Sequence, residues 1–420
     1  MANAASRGDD RRTRGALRFA GLDAEVVVVG AGPAGSVLAA ELAARGHDVV
    51  LLDKARFPRH KACSDYVNPA GAKLLETLGL DDDLRRLGAH RTDGMRVHAP
   101  GGARYLADFA SAEPGRTALG LTRRRLDALL LERATAAGAR VVEGAHVRSV
   151  LVEGRVARGV EAAIGGGREQ IRAALVAGAD GRTSAVSRGL GLDVPGSLLR
   201  RTGLVAHYRG IPGLERFGEM HVGPHGYAGL APLEDGLTNV AFVSDAAMVS
   251  GRTGALEAYF EQGLRALPGA WARVSVGERA GPIRGVGPMA HRTRRCAGDG
   301  FLLVGDAAGF LDPFTGEGVA EALGGALLAA PVASAALRSG GATAAALEPY
   351  RAARRRAFWA RRGVGWLVQG FIGTPRLLDY AVPRLDERAV LGETLAGVLG
   401  DMRPAREALS PLFLARLLRP

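Results

Sequence analysis

The chain has 420 residues, 47% of them hydrophobic, and carries a formal net charge of +12. At roughly two to three times the length of a typical domain, with apolar residues along its whole length, it excludes disorder beyond the ends and supports one large domain plus a smaller one. The charge would suit nucleic acid or an anionic membrane, but only Lys54, Lys61 and Lys73 are lysines and the arginines are interspersed with acids. No helix-turn-helix or RNA-binding pattern accompanies them, so nucleic acid is not an expected partner, while peripheral membrane contact stays open.

Residues 1–22 are polar and arginine-rich, which predicts a flexible extension that is neither signal peptide nor anchor. No later run approaches the ~20 uninterrupted apolar residues of a spanning helix, so the chain is not expected to cross a membrane. Cys63 and Cys296 have neither disulfide-framework nor zinc-like spacing, and favour a reducing, cytoplasmic setting.

A β-branched run at 25–29, an alanine-rich stretch at 33–45 ending at Gly46, and a second apolar run at 48–52 predict a β-turn-α-β unit. Its turn reads Gly30-Ala31-Gly32-Pro33-Ala34-Gly35. The first glycine permits the tight turn, the second lets backbone approach a pyrophosphate, and the third lets helix pack closely on strand. The helix N-terminus adds amide donors and a favourable dipole. Asp53, 23 residues after Gly30, is placed to accept hydrogen bonds from an adenosine ribose and to repel a 2′-phosphate, so FAD or NAD fits better than NADP.

From 140 to 177, short apolar segments broken by Gly144, Gly154 and Gly165-Gly166-Gly167 predict hairpins. The segment Asp180-Gly181-Arg182 by itself is only a turn. Residues 200–290 predict a mainly antiparallel sheet. A buried run at 301–304 leads into Gly305-Asp306-Ala307-Ala308-Gly309, then Pro313, Gly316 and Gly318 at the start of a helix over 317–337. Asp306 can hold a ribityl hydroxyl, Gly316 and Gly318 let main chain come close to a flavin ring, and the helix N-terminus can stabilise its developing negative charge. The tail 346–420 predicts a helical cap, packed on its own protein or docked on a membrane.

With these motifs in order, the chain resembles flavoproteins of the p-hydroxybenzoate hydroxylase fold, in the geranylgeranyl reductase-like branch. The resemblance rests on GAGPAG at 30–35, LLDKARFPRHKAC at 51–63, ADGRTS at 179–184 and GDAAGFLDPFTGEG at 305–318. It implies an α/β fold, a Rossmann-like FAD-binding domain with an inserted antiparallel-sheet substrate domain and a helical C-terminal segment. The expected division is 23–95, 115–190 and 295–345 for the FAD domain, and 96–114 and 191–294 for the substrate domain. Lys54 and Arg123 join the cofactor set by resemblance; for Arg123 a solvated helix start is the alternative.

Similar enzymes either hydroxylate aromatic rings or reduce isoprenoid double bonds, with NADH or NADPH as a transient electron donor. Prenyl reductases carry Cys-Gly where this chain has Cys63-Ser64, and a YxWxFP segment where it has 226–232 without tryptophan. The expected reaction is therefore hydroxylation of an aromatic or polyketide-like molecule, with isoprenoid reduction as the alternative and a non-catalytic lipid-binding module as a third. Tyr66, Asn68, Tyr227, Leu230, Pro232 and Asn239 fall in pocket-like segments, though each could equally be core or turn chemistry. His221 and His225 have metal-like spacing, but with no third ligand nearby and glycine and proline between them a structural or pocket role is expected over metal binding. Cys63 lies near the flavin by resemblance or is simply a buried thiol.

Overall fold

Val26, Val27, Val28 and Val29 are all buried, and this is why the strand Asp23–Val29 reads as a continuous apolar run: it sits inside a parallel sheet covered on both faces. The structure is a computed structural model that describes residues 23–194, 199–245 and 256–419. The predicted extension 1–22 lies outside them. The first sheet runs in the order Ala297–Gly298, Phe301–Leu303, Gly167–Gly178, Asp23–Val29, Val49–Asp53, Arg140–Glu143. Helix Pro33–Ala44 packs on it between helices Arg123–Ala136 and Gly318–Arg338.

The hairpins predicted between 140 and 177 form, but their ends do more. Arg140–Glu143 pairs parallel with Val49–Asp53. The 12-residue strand Gly167–Gly178 pairs antiparallel with Val156–Ile164 over its first half and parallel with Asp23–Val29 over its second. One strand therefore belongs to both a hairpin and the central parallel ladder.

The second sheet contains Glu278–Arg279, Arg201–Arg209, Leu237–Asp245, Gly226–Pro232, Phe217–Gly223, Gly94–His98 and Arg104–Asp108 in that order. The first of its two strands from the N-terminal half starts at Gly94, two residues before the expected boundary of 96, and pairs parallel with Phe217–Gly223 in an otherwise antiparallel sheet. One face is covered by helices Leu256–Arg265 and Pro268–Val274. The other packs against helices Glu348–Ile372, Pro375–Glu387, Ala389–Leu399 and Pro411–Leu418. Trp359 and Trp366 on the first of these four remain exposed. A small sheet of Tyr66–Val67, Ala118–Gly120 and His90–Thr92 joins the two halves; a side chain at Gly120 would lie 1.9 Å from the Pro232 carbonyl oxygen, so only glycine allows this approach.

One run contradicts the expectation that nothing approaches spanning length: Gly318–Arg338 is long and apolar enough, by length and composition, to cross a membrane. Its alanines are instead packed against helix Pro33–Ala44, and Ala326, Ala329, Ala330 and Ala333 are fully buried. A helix that is apolar all round is what a core position between helix and sheet demands.

Candidate active site

The glycine fingerprint bends where the three glycines require it. Gly30 has φ 99°, and a side chain there would sit 2.6 Å from the Ala179 carbonyl oxygen. At Gly35 it would lie 1.8 Å from the Gly30 carbonyl oxygen. Gly32 is different: its absent Cβ would meet nothing nearer than the Arg123 guanidinium at 3.7 Å and that of Arg59 at 4.0 Å. The lip at Gly32 is thus open and faces two cations. Pro33 occupies the first turn of its helix and Gly32 offers no capping side chain, so the first-turn amides keep their capacity for an anion.

Asp53 is buried and braces this turn: its Oδ2 accepts the Ala31 N–H at 2.8 Å and its Oδ1 the Ala55 N–H at 2.8 Å. The role predicted for it was ribose binding; the structure adds a local one, because a strand-end carboxylate finds the amides of its own turn first. Lys54 is exposed and lies within electrostatic reach of His146. Cations overlooked in the sequence face the same groove. Arg59 reaches Asp127 at 2.9 Å and Asp53 at 3.9 Å. Lys61, exposed on the groove wall, lies among Arg123, Asp306, Asp127 and Arg59.

Arg123 opens its helix as a buried residue, 6% exposed, with Nε and Nη2 donating to Asp127 at 2.7 and 2.9 Å. This excludes the solvated helix start. Its Nη1 points to the Cys63 sulfur at 3.6 Å. Asp180 donates nothing and accepts the Ala185 N–H at 2.6 Å, leaving Oδ1 buried without a partner; burial raises its pKa. Gly181 follows at φ 81°. The third motif closes on the first: Gly305, at φ 57°, places its α-carbon so that a side chain would lie 2.9 Å from Ala34. Asp306 on the turn Gly305–Ala308 comes within electrostatic reach of Lys61 and Arg182. Motifs separated by up to a few hundred residues thus converge on one groove carrying guanidiniums, an ammonium and open helix amides, a donor set suited to a diphosphate.

Beyond the groove lies a cavity of about 680 Å³, part of it open to solvent, between the loop 313–316 and one face of the second sheet. Of the residues predicted for substrate, Tyr66, Leu230 and Asn239 line it, together with Pro313 and Gly316 from the cofactor set. Gly316, at φ 68°, has the Tyr66 ring where a side chain would be, 2.6 Å from its absent Cβ. The others are placed differently. Asn68 is a helix N-cap, its Oδ1 accepting the Gly71 N–H at 3.0 Å. Tyr227 is buried beneath the wall and donates its hydroxyl to Asp312 at 2.7 Å. Pro232 packs against Gly120, and Gly318 begins its helix beside Phe310.

Asn239 also ties the wall to the loop 63–66, donating to the Cys63 carbonyl and to Asp65 Oδ2, each at 2.9 Å. Asp65 is the hub of this region. It adopts φ 53° and further accepts from the Arg123 N–H at 2.9 Å and pairs with His207 Nε2 at 2.7 Å. Asp65→Ala leaves these buried donors unmatched, each worth about 1–3 kcal/mol; we expect a loss of roughly 3 kcal/mol in chemical denaturation, with Asp65→Asn recovering much of it.

His221 does not join His225, which is exposed in the turn beyond its strand. It lies on the opposite face of the sheet from the cavity, stacked on His98 at 4.2 Å and bonded to Glu219 at 3.0 Å. Burial works to raise the Glu219 pKa, but hydrogen bonds from His221 and Arg273 prevail and hold it at about 2. Arg273 reaches both oxygens of this carboxylate, so it serves a charge network within the fold.

Residues 23–362 match the family model described as FAD binding domain. The chain belongs to this FAD-binding family. It is an FAD-dependent oxidoreductase with the mixed α/β architecture of that family. It is 31% identical to a menaquinone reductase of Mycolicibacterium smegmatis over 338 residues, 76% of this chain and 78% of that protein. It is 33% identical to digeranylgeranylglycerophospholipid reductase 1 of Methanopyrus kandleri, over 79% of this chain and 85% of that one. A solved flavin-dependent brominase superposes with a TM-score of 0.79 over 90% of this chain and 94% of its own, at 20% identity, which supports the fold. FAD is the cofactor, and the groove fits it: the open lip at Gly32, the unpartnered Asp180 oxygen and the cations at Arg59, Lys61 and Arg123 are what a dinucleotide would engage.

Proposed function

We propose that this flavoprotein reduces a carbon–carbon double bond of an apolar, isoprenoid-like small molecule. The observation carrying the reading is the cavity wall. Met95, Val97, Phe109, Met220, Leu230 and Leu399 contribute apolar surface, and the polar contributors are Ser64, Tyr66, Asn239 and Thr315. None of these four is a base at neutral pH, and burial raises the Tyr66 phenol further. Activating a phenol requires a positioned base, whereas an alkene chain requires only shape and exclusion of water. Relatives named as reductases of menaquinone and of a digeranylgeranyl phospholipid support the same class.

When bound, FAD supplies a hydride equivalent delivered to it by NADH or NADPH. The chain's own residues do the rest. Apolar side chains of the second sheet hold the substrate and keep water out. Asn239 and Asp65 fix the loop that carries Ser64 and Tyr66. The N-terminus of helix Gly318–Arg338 stabilises developing negative charge through its amides. The absence of tryptophan from 226–232, where prenyl reductases carry one, favours the second reading, hydroxylation of an aromatic ring.

Anaerobic reduction with NADH or NADPH, followed by mixing with a geranylgeranyl lipid, decides between them. We expect the flavin to reoxidise without oxygen and the product to be heavier by two hydrogens. Reduced flavin that the lipid leaves unchanged, and that reoxidises only when oxygen and an added phenol are admitted, with a product heavier by one oxygen, overturns the reductase reading.

A further inference from the structure

The loop 313–316 separates two cavities of opposite character. Behind the apolar one lies a polar cavity of about 470 Å³, partly open to solvent, and Phe314 and Thr315 belong to both walls. Three acids from two parts of the chain meet on the polar side: Glu317 at the start of helix Gly318–Arg338, Glu321 one turn further on, and Asp401 in the turn after helix Ala389–Leu399. The facing cations come from helix Glu348–Ile372. Arg361 pairs with Asp401 at 2.5 Å, and Arg354 and Arg362 face Glu321. Among the described residues, no lysine or arginine comes within ion-pair distance of Glu317. The Thr315 side chain approaches its carboxyl instead. Asp312, also on this cavity wall, is occupied by Tyr227 and lies near Arg201.

The apolar cavity contains no acid, yet adding hydrogen across a double bond needs a proton as well as a hydride. We propose that Glu317, acting through the Thr315 hydroxyl, is the proton source for the apolar cavity, an inference that rests on the reductase reading. As hydride from the reduced cofactor adds to one alkene carbon, the π electron pair moves to the other. That carbon takes the Thr315 proton, Thr315 takes the Glu317 proton, and a carboxylate is left. Water reaching the polar cavity through Glu321 and Asp401 restores it, and the nicotinamide donor restores the hydride.

The environment keeps Glu317 supplied with its proton near neutrality. Burial first, then the charges of Glu321 and Asp401, push its pKa up to about 8, against the opposing pulls of the Arg361 charge and of the Thr315 hydroxyl, which donates to the carboxylate between proton transfers. Asp401 is raised to about 6, chiefly by burial, which sets a step between the outer and inner acids. A hydroxyl can donate and accept at once, so Thr315 can pass a proton without changing its own charge.

The test is a pH titration of the full-length protein by difference infrared spectroscopy, with and without FAD, alongside rapid mixing of the reduced holoenzyme with a geranylgeranyl lipid. The expected result is a carboxylic acid that ionises near pH 8 and is missing from Glu317→Gln. Flavin reduction by the nicotinamide should be unchanged in that variant, reoxidation by the alkene slowed at least about tenfold, and the alkaline limb of its pH profile lost. Thr315→Val should keep the infrared band and show the same slow reoxidation, which separates relay from fold. Absence of the band, or alkene reoxidation at the wild-type rate in both variants, overturns the proposal. A holoenzyme inert to alkenes that retains the Glu317 band overturns the reductase reading and, with it, the use assigned to the acid; an alkene-active holoenzyme without the band overturns the role of Glu317 alone.

Discussion

Asp127→Ala is expected to destabilise the protein by roughly 3–5 kcal/mol, the range for removing one partner of a buried ion pair. The pair Arg123–Asp127 has the spacing of an ordinary helix-surface contact, which would contribute only about 0.3–0.5 kcal/mol. Burial changes its weight. Asp127 is fully buried and Arg123 is 6% exposed, and the carboxylate also neutralises Arg59, 2.9 Å away. Without it, the two guanidiniums lose their shared counter-charge, and only Arg59 keeps another carboxylate, that of Asp53 at 3.9 Å. Denaturant unfolding of the apoprotein should show the loss, and added salt should not restore it, because screening acts weakly on buried charge. Asp127→Asn keeps the shape and one acceptor but not the charge, and should fall between. FAD, a polyanion at its diphosphate, should partly rescue Asp127→Ala by binding the folded state.

The parts of the site legible in the sequence were those dictated by backbone geometry. A glycine fingerprint between strand and helix has one purpose and one conformation, and Gly30, Gly35 and Gly305 occupy positions where a side chain would strike main chain or a packed neighbour. Side-chain destinations were harder to read. Asp65 meets His207 and Asn239 across 142 and 174 residues of sequence, and no local pattern announces a contact of that span. Arg59 and Lys61 stood within a quoted motif, but which of its basic residues turns into the groove depends on the path of a loop with no periodicity. Asn68 carried a readable signal: an asparagine directly before Pro69 at a helix start is a capping arrangement. The strand Gly167–Gly178 was visible as a hairpin arm, whereas its second role depends on a parallel partner, Asp23–Val29, far upstream. Periodicity identifies a strand and its buried face but not its neighbours.

Gly35→Ala and Gly32→Ala should fail in opposite ways, although both change the same motif by one methyl group. At Gly35 the new carbon would lie 1.8 Å from the Gly30 carbonyl oxygen and 3.0 Å from the Ala179 side chain. The obstacle is backbone, so the helix Pro33–Ala44 must move off the strand Asp23–Val29. Overpacking of this kind costs about 1–3 kcal/mol or more, and the apoprotein itself should unfold at lower denaturant. At Gly32 the nearest atoms are guanidinium nitrogens at 3.7 and 4.0 Å, an ordinary contact. Apoprotein stability should change by no more than about 0.5 kcal/mol. The methyl would instead occupy the lip where a diphosphate approaches the helix amides, and FAD affinity should fall at least about tenfold, or about 1.4 kcal/mol. Denaturation of both apoproteins with FAD titration by fluorescence separates the two effects. Equal loss of apoprotein stability in both variants would mean that Gly32 is a packing residue, and the groove would then lose its main argument for holding the cofactor's phosphates at that lip.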